Sequence, residues 1–276
     1  MLADLLGGDD QKPAQTFLDW AVKAYRTERV AVPMKADTVI RASSIGWMCF
    51  REEVLAARHG ITRKEVVSAD SNWTYSVGHA VHWAMQNEVL GPKGQIVGEW
   101  RCRSCGDHQG GAEDYDLRPY PEDCPKCHSP ELGFEYVELP LYDSELLIRG
   151  HCDGFHPNGV DIWEFKSSNS YAMKAIRQGQ IWPAYKVQGQ IYLHLTGRKR
   201  FRFLFVDKGE NVLKRAWHPM LIERDQKEID AKKKAIVQMR EAIASPKKKL
   251  PERICANETC DRAKNCPVVT QCFASP

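Results

Sequence analysis

The sequence predicts an α/β protein of alternating helices and short strands. Three observations carry this. Stretches with apolar residues at helical spacing alternate with short runs rich in β-branched and aromatic residues. An Asn158-Gly159 pair separates two such β-rich runs and marks a tight hairpin. The 276 residues are 43% hydrophobic and 27% charged, which excludes global disorder, collagen and coiled coil. No apolar run approaches the roughly 20 residues of a membrane span. The N-terminal MLADLLGGDDQKPAQ is acidic and lacks the basic start of a secretory signal. The expectation is a cytoplasmic protein with no membrane partner. A net charge of +3 permits a nucleic-acid partner without demanding one.

Four segments follow in order. Residues 1–100 form a helical part: TFLDWAVKAYRTER, then 41–60 behind the capping types Ser43 and Ser44, then 76–90. Residues 101–130 change character, with four cysteines, much Gly, Pro and Asp, and little periodicity, and read as an insertion. Residues 131–245 hold the β-rich runs of 134–166, a helix over 184–195, the β run RFRFLFV, and a helix over 222–244. In that last helix Ile222, Ile229, Ile236 and Ile243 are spaced by seven. The breaker SPKKKLPER then leads into a cysteine-rich tail, 246–276.

The hairpin carries the strongest chemistry. With a two-residue loop, Pro157 pairs with Val160, and Asp153 falls opposite Glu164. Opposed residues share a face with Cβ atoms about 4.5–5.5 Å apart. Lys166 lies two residues on and shares that face, while Trp163 and Phe165 point into a core. Carboxylates that close repel unless a cation sits between them. Mg²⁺ or Mn²⁺ is the natural hard cation, and phosphate its usual companion. A routine cross-strand salt bridge on an exposed hairpin is the competing reading.

Asp153, ten intervening residues and then Glu164-Phe165-Lys166 resembles the signature of the PD-(D/E)XK nuclease superfamily. The surrounding residues resemble its RecB-like exonuclease branch. Gly78-x-x-x-His82 matches its early helix, Ile148 through Gly150 to Asp153 its entry to the metal site, and Gln188-x-x-x-Tyr192 its following helix. The resemblance implies a restriction-endonuclease-like core, a mixed central sheet flanked by helices, and metal-assisted hydrolysis of DNA, single-stranded or with a free end. It implies His82, Asp153 and Glu164 as Mg²⁺ or Mn²⁺ ligands, with Lys166, Gln188 and Tyr192 completing the catalytic set. Recombination, repair and bacteriophage DNA processing fit, with a recombination or helicase protein as a partner. Taken alone, His82 in the stripe of Val81, Met85 and Val89 also reads as an ordinary core histidine. Gln188 and Tyr192 also read as polar tips on a half-buried helix face. Glu138, on the strand before the hairpin, is a further candidate carboxylate. A site-specific endonuclease and a non-catalytic DNA-binding module are the rival functions.

The chain has ten cysteines, and a reducing compartment makes clustered ones metal ligands rather than disulfides. Cys102-x2-Cys105, an 18-residue gap and Cys124-x2-Cys127 have zinc-ribbon spacing and predict one structural Zn²⁺. His108 and His128 stand close by, but the cysteine set is complete without them. In the tail, Cys266-Pro267-x4-Cys272 resembles the ending of iron–sulfur nucleases of the AddB and CRISPR-associated types. That resemblance implies a 4Fe–4S cluster on Cys49, Cys260, Cys266 and Cys272, with Cys255 as the alternate to Cys260. A tail-only zinc site on Cys255, Cys260, Cys266 and Cys272 is the competing reading. Cys152 reads as a core residue.

Two basic stretches suit single-stranded DNA: Arg198, Lys199, Arg200 and Arg202 around Phe201 and Phe203, and Lys232–Lys234 with Arg240 and Lys247–Lys249. Phe201 and Phe203 read better as core. For the lysines a solvated surface is an equal reading.

Overall fold

A computed structural model describes residues 22–111, 116–128, 133–210 and 216–274; most of the expected first helix lies outside them. Strand β1 (Thr27–Ala31) is followed by β2 (Ile40–Arg41), α1 (Ala42–Ile45) and α2 (Phe50–His59). The helix expected over 41–60 is thus broken at Gly46–Cys49, and Arg41 rather than Ser43 or Ser44 occupies the cap. The Ser44 hydroxyl is turned back to donate to the Arg41 carbonyl at 2.8 Å. Strand β3 (Arg63–Val67) pairs antiparallel with β1. Helix α3 (Ala69–Ala84) starts where Ser68 Oγ accepts from the Ser71 N–H, and it runs on into a π-helical turn, Met85–Leu90.

Strands β4 (Glu99–Cys102), β5 (His108–Gln109) and β6 (Phe134–Val137) form an antiparallel sheet in the order β5-β4-β6. The expected boundary at residue 100 therefore falls inside β4. Trp100, Phe134 and Tyr136 share a core with Met85, Phe165, Leu204 and Val206, so the cysteine-rich segment is not packed as a separate body.

The remaining strands are β7 (Pro140–Asp143), β8 (Ile148–His151), β9 (Gly154–Phe155) and β10 (Asp161–Ser168). Next come α4 (Ser170–Ile176), α5 (Pro183–Thr196), β11 (Arg200–Asp207), β12 (Trp217–Glu223) and α6 (Gln226–Ala244). Two short tail helices follow, α7 (Asp261–Lys264) and α8 (Val269–Ala274). Ile222 belongs to β12, opposite Phe201, and not to the long helix. The Asp225 carboxylate, accepting from the Glu228 N–H at 3.1 Å, starts that helix three residues later.

Strand order β12-β11-β10-β9 gives a mixed sheet, with β10 and β11 parallel and the outer pairings antiparallel. A second sheet, β2-β8-β7, is also mixed. The sheet is therefore divided, and the chain crosses from one part to the other at Cys152-Asp153, between β8 and β9. Phe201, Phe203 and Phe205 are buried in the main core with Ile162, Ile191 and Ile236, and Cys152 is buried with them.

Arg200 and Arg202 are not free cations. Both guanidinium groups bind the carboxylate of Asp161, whose side chain is 0% exposed. Arg240 donates instead to the carbonyls of Ala36, Thr38, Leu146 and Leu147, tying α6 to the turn before β8. Both corrections have one cause: guanidinium groups satisfy buried oxygens that β-strand and turn packing leaves without partners. The two arginine side chains are each 34% exposed, so water takes up part of their charge when the carboxylate is removed. Asp161→Ala should cost about 1.5–3 kcal/mol of stability, the range for hydrogen bonds to a charged group, read by urea denaturation. Burial raises the Asp161 pKa, but the two arginines override it and hold the carboxyl below its ordinary value. Its stabilisation is present above the ordinary carboxyl range and is lost as pH falls through the lower folded value.

Candidate active site

The hairpin keeps its expected register, although its loop is longer. Gly154 pairs with Trp163 and Phe155 with Ile162, so Asp153 comes next to Glu164 in line. Residues 157–160 form the loop. His156 donates to the Asp161 carbonyl, the Gly159 N–H to the His156 carbonyl, and Asn158 Oδ1 accepts from Val160 and Asp161. Gly159, at φ 71°, takes the left-handed conformation that the turn needs. The loop gains one residue from each strand, so the pairing does not shift.

Asp153 stands where the strand changes sheets. Its Oδ2 accepts the Phe165 N–H at 2.5 Å, and its Oδ1 lies 3.1 Å from His82 Nδ1. His82 reaches it from α3, with its ring edge-on to Phe165. Glu138, between β6 and β7, joins this pair: ligand atoms of His82, Glu138 and Asp153 all lie within 4.8 Å of one another. Gln86, one turn beyond His82, braces the group by donating to Glu138 Oε1 at 3.1 Å and the Asp153 carbonyl at 2.9 Å.

Glu164 is 4% exposed. Its Oε1 accepts from Lys166 Nζ and, at 2.7 Å, from Gln188 Nε2. Its Oε2 is buried without a hydrogen-bond partner. A buried carboxylate oxygen left bare costs free energy, which a cation would recover. The donor set of carboxylates with one imidazole suits Mg²⁺ or Mn²⁺. Burial pushes the Glu164 pKa up to about 7, against the pull of Lys166. Burial lowers the Lys166 pKa, but the Glu164 carboxylate outweighs it and holds the ammonium above its ordinary value. For His82 too, burial lowers the pKa and the Asp153 carboxylate overrides it.

Tyr192 is buried against Gly150 and stacked on Phe201, with ring centroids 5.9 Å apart. A Cβ on Gly150 would lie 2.8 Å from the tyrosine ring, so only glycine allows the fit. An open groove beside it is lined by Arg41, His79, Glu138, Arg149 and Tyr192. Of these, Arg41, His79 and Arg149 carried no sequence signal. Gln86 did: it lies four residues after His82, on the same helix face.

Sγ atoms of Cys102, Cys105, Cys124 and Cys127 gather within 4.8 Å, with Cys102–Cys127 and Cys105–Cys124 each at 3.6 Å. A tetrahedral zinc with bonds of about 2.3 Å holds thiolates roughly 3.8 Å apart, so the cage fits that ion. His108 is turned aside to Glu99.

Cys49, Cys255, Cys266 and Cys272 line a second cavity together with Glu52, Arg253 and Arg262. Cys260, expected in that set, does not line it. It stands at the N-terminus of α7, where its side chain makes no cap hydrogen bond, and lies beside Cys255. The tail packs on α2: Arg51 donates to the carbonyls of Pro251 (3.1 Å) and Cys272 (3.3 Å), and Leu55 and Ala56 meet Val268.

No family model matches this chain, and no curated protein is similar to it. Among solved structures it is similar to an alkaline exonuclease from Laribacter hongkongensis, with 18% identity and TM-score 0.47 over 75% of this chain and 90% of that one. The same enzyme in complex with dAMP gives 17% identity and TM-score 0.45 over 75% and 88%. A phage related exonuclease from Haemophilus somnus 129PT gives 14% identity and TM-score 0.34 over 75% and 93%. Likenesses this loose do not bear on this chain's chemistry, which stands on its own side chains.

Proposed function

We propose that this chain is a metal-dependent deoxyribonuclease of the RecB-like PD-(D/E)XK kind, acting as an exonuclease on DNA ends. The convergence of His82, Glu138 and Asp153 beside Glu164, with its bare buried oxygen, and Lys166 supports the reading most. A Mg²⁺ or Mn²⁺ ion held there supplies Lewis-acid polarisation of the scissile phosphate and charge neutralisation. The chain's own groups do the rest. Gln188 and Lys166 fix Glu164 from two sides, and the Phe165 N–H fixes Asp153. Gln86 sets the distance between Glu138 and Asp153. The Lys166 ammonium, on a side chain only 19% exposed, offsets charge on the phosphate that hydrolysis leaves more negative.

Digestion of end-labelled linear DNA with Mg²⁺ or Mn²⁺ tests this. Mononucleotide release from linear but not closed circular single strands is expected. Cleavage of circles would make the enzyme an endonuclease, and inert DNA under all metals would end the nuclease reading.

The ribbon cage is assigned to zinc and the second cavity to a 4Fe–4S cluster. Among the described residues the tail cysteines form no cage tight enough for one ion, whereas a cluster of several irons and sulfides holds its four thiolates further apart. With Cys255 in the cavity, anaerobically purified protein should be brown. Cys49→Ser, Cys255→Ser, Cys266→Ser and Cys272→Ser should each remove iron and acid-labile sulfide, and Cys260→Ser should retain both. Retention of iron by Cys255→Ser with its loss from Cys260→Ser would restore the expected quartet.

A further inference from the structure

The active-site lysine has an aromatic neighbour that leads out of the site. Lys166 Nζ lies 5.3 Å from the ring centroid of Tyr185, in the first turn of α5. Trp47 meets Tyr185 edge-on at 5.8 Å and 88°, and is itself 49% exposed. The placement is built into the backbone. A Cβ on Gly46 would lie 2.2 Å from the Ala184 carbonyl oxygen, so the loop before Trp47 touches the main chain beside Tyr185. Arg262 donates to the Trp47 carbonyl at 3.0 Å and holds the loop from the other side.

An open groove adjoins this loop: Gly46 and Met48, on either side of Trp47, are in its wall. Lys232 and Lys234 of α6 and Lys249 beyond it also line it, with apolar Val237 and Ile254. Glu241, paired with Lys248 at 3.1 Å, and Glu252 are also in the wall. Arg200, Arg202 and Arg240 are committed to internal oxygens, whereas Lys232, Lys234 and Lys249 border this groove.

We propose that the groove and the Trp47–Tyr185 pair form a track for single-stranded DNA, joining the lysine groove to the nuclease site. The track rests on the nuclease reading and names the form of its substrate. An exposed indole, one aromatic ring removed from Lys166, offers an unpaired base a stacking face, and spaced lysines follow the phosphates. Trp47 is a positioning residue: it holds the strand and does not touch the reacting atoms.

The test uses the full chain without added Mg²⁺ or Mn²⁺ and with its structural zinc in place, so that binding is read without cleavage. The probes are a labelled oligothymidylate and a blunt duplex of equal length. Trp47→Leu should weaken single-strand binding by about 5- to 150-fold, the range for loss of one stacked base, and change duplex binding less. Trp47→Phe should recover most of the loss. Alanine at Lys232, Lys234 and Lys249 together should make the slope of log affinity against log salt shallower by about 2, near 0.7 per lost phosphate contact. Wild-type affinity in Trp47→Leu, or an unchanged salt slope in the triple variant, overturns the track. If wild-type protein cleaves DNA while those variants bind normally, only the track fails. If it neither binds nor cleaves, the nuclease reading fails with it.

Discussion

Glu164→Gln is expected to lower DNA hydrolysis by about 10³-fold or more, since the metal's charge stabilisation is worth several kcal/mol. The substitution keeps the shape of the side chain, replaces one carboxylate oxygen by an NH₂ group and removes the negative charge a cation needs. It also leaves the Lys166 ammonium without its carboxylate, so Lys166 no longer has a fixed position. Asp153→Asn should do the same by a second route, because Asp153 holds both the Phe165 N–H and His82. Lys166→Ala should lower turnover while Mg²⁺ binding persists. Circular dichroism melting separates these effects from unfolding, and wild-type hydrolysis by a folded Glu164→Gln protein would end the assignment. The pH response has a definite sign. A carboxyl held at about 7 in the folded chain, against 4.5 when free, binds its proton more tightly when folded. Metal-free protein should therefore lose stability as pH rises between those values. Lys166, raised above an already high ordinary value, stays charged throughout that window. Added Mg²⁺ should restore the stability at the upper end of the window and have little effect at the lower end, where protons hold the carboxyl.

The second large effect concerns the ribbon. Cys102→Ser or Cys124→Ser should release one zinc per chain and unfold the surrounding segment. Structural zinc contributes an apparent 10–16 kcal/mol in isolated finger peptides, about the whole stability of an ordinary domain. The damage should not stay local. Trp100 and Phe134 of that sheet are buried together with Phe165, the neighbour of Glu164 and Lys166. Loss of zinc should expose the Trp100 indole, which now donates to the Arg118 carbonyl at 3.0 Å, and should lower nuclease activity with it. Zinc analysis, protease cleavage within 103–130 and tryptophan fluorescence measure the three consequences. Unchanged zinc in both variants would refute the cage.

The sequence by itself determined what depends on local period and spacing. Strand pairing repeats every two residues, so Asn158-Gly159 sufficed to bring Asp153 and Glu164 into line even though the loop proved two residues longer. Helical period put Gln188 and Tyr192 on one face, and paired Cys-x2-Cys turns announced the four-thiolate cage. Tertiary packing decided what distant segments do to each other. Glu138 completes the His82 and Asp153 group only because the chain returns from β6 past α3. Cys49 lines the second cavity with Cys255, Cys266 and Cys272 because the tail folds back on α2, which spacing along the chain does not announce. The buried carboxylate of Asp161 removes Arg200 and Arg202 from the basic surface, and the missing Cβ of Gly46 lets Trp47 reach Tyr185. Period and spacing describe the contacts a segment makes with itself and its pairing partner. Which charge meets which across the fold depends on side-chain packing and desolvation between residues far apart in the chain, and those appear only once the core has closed.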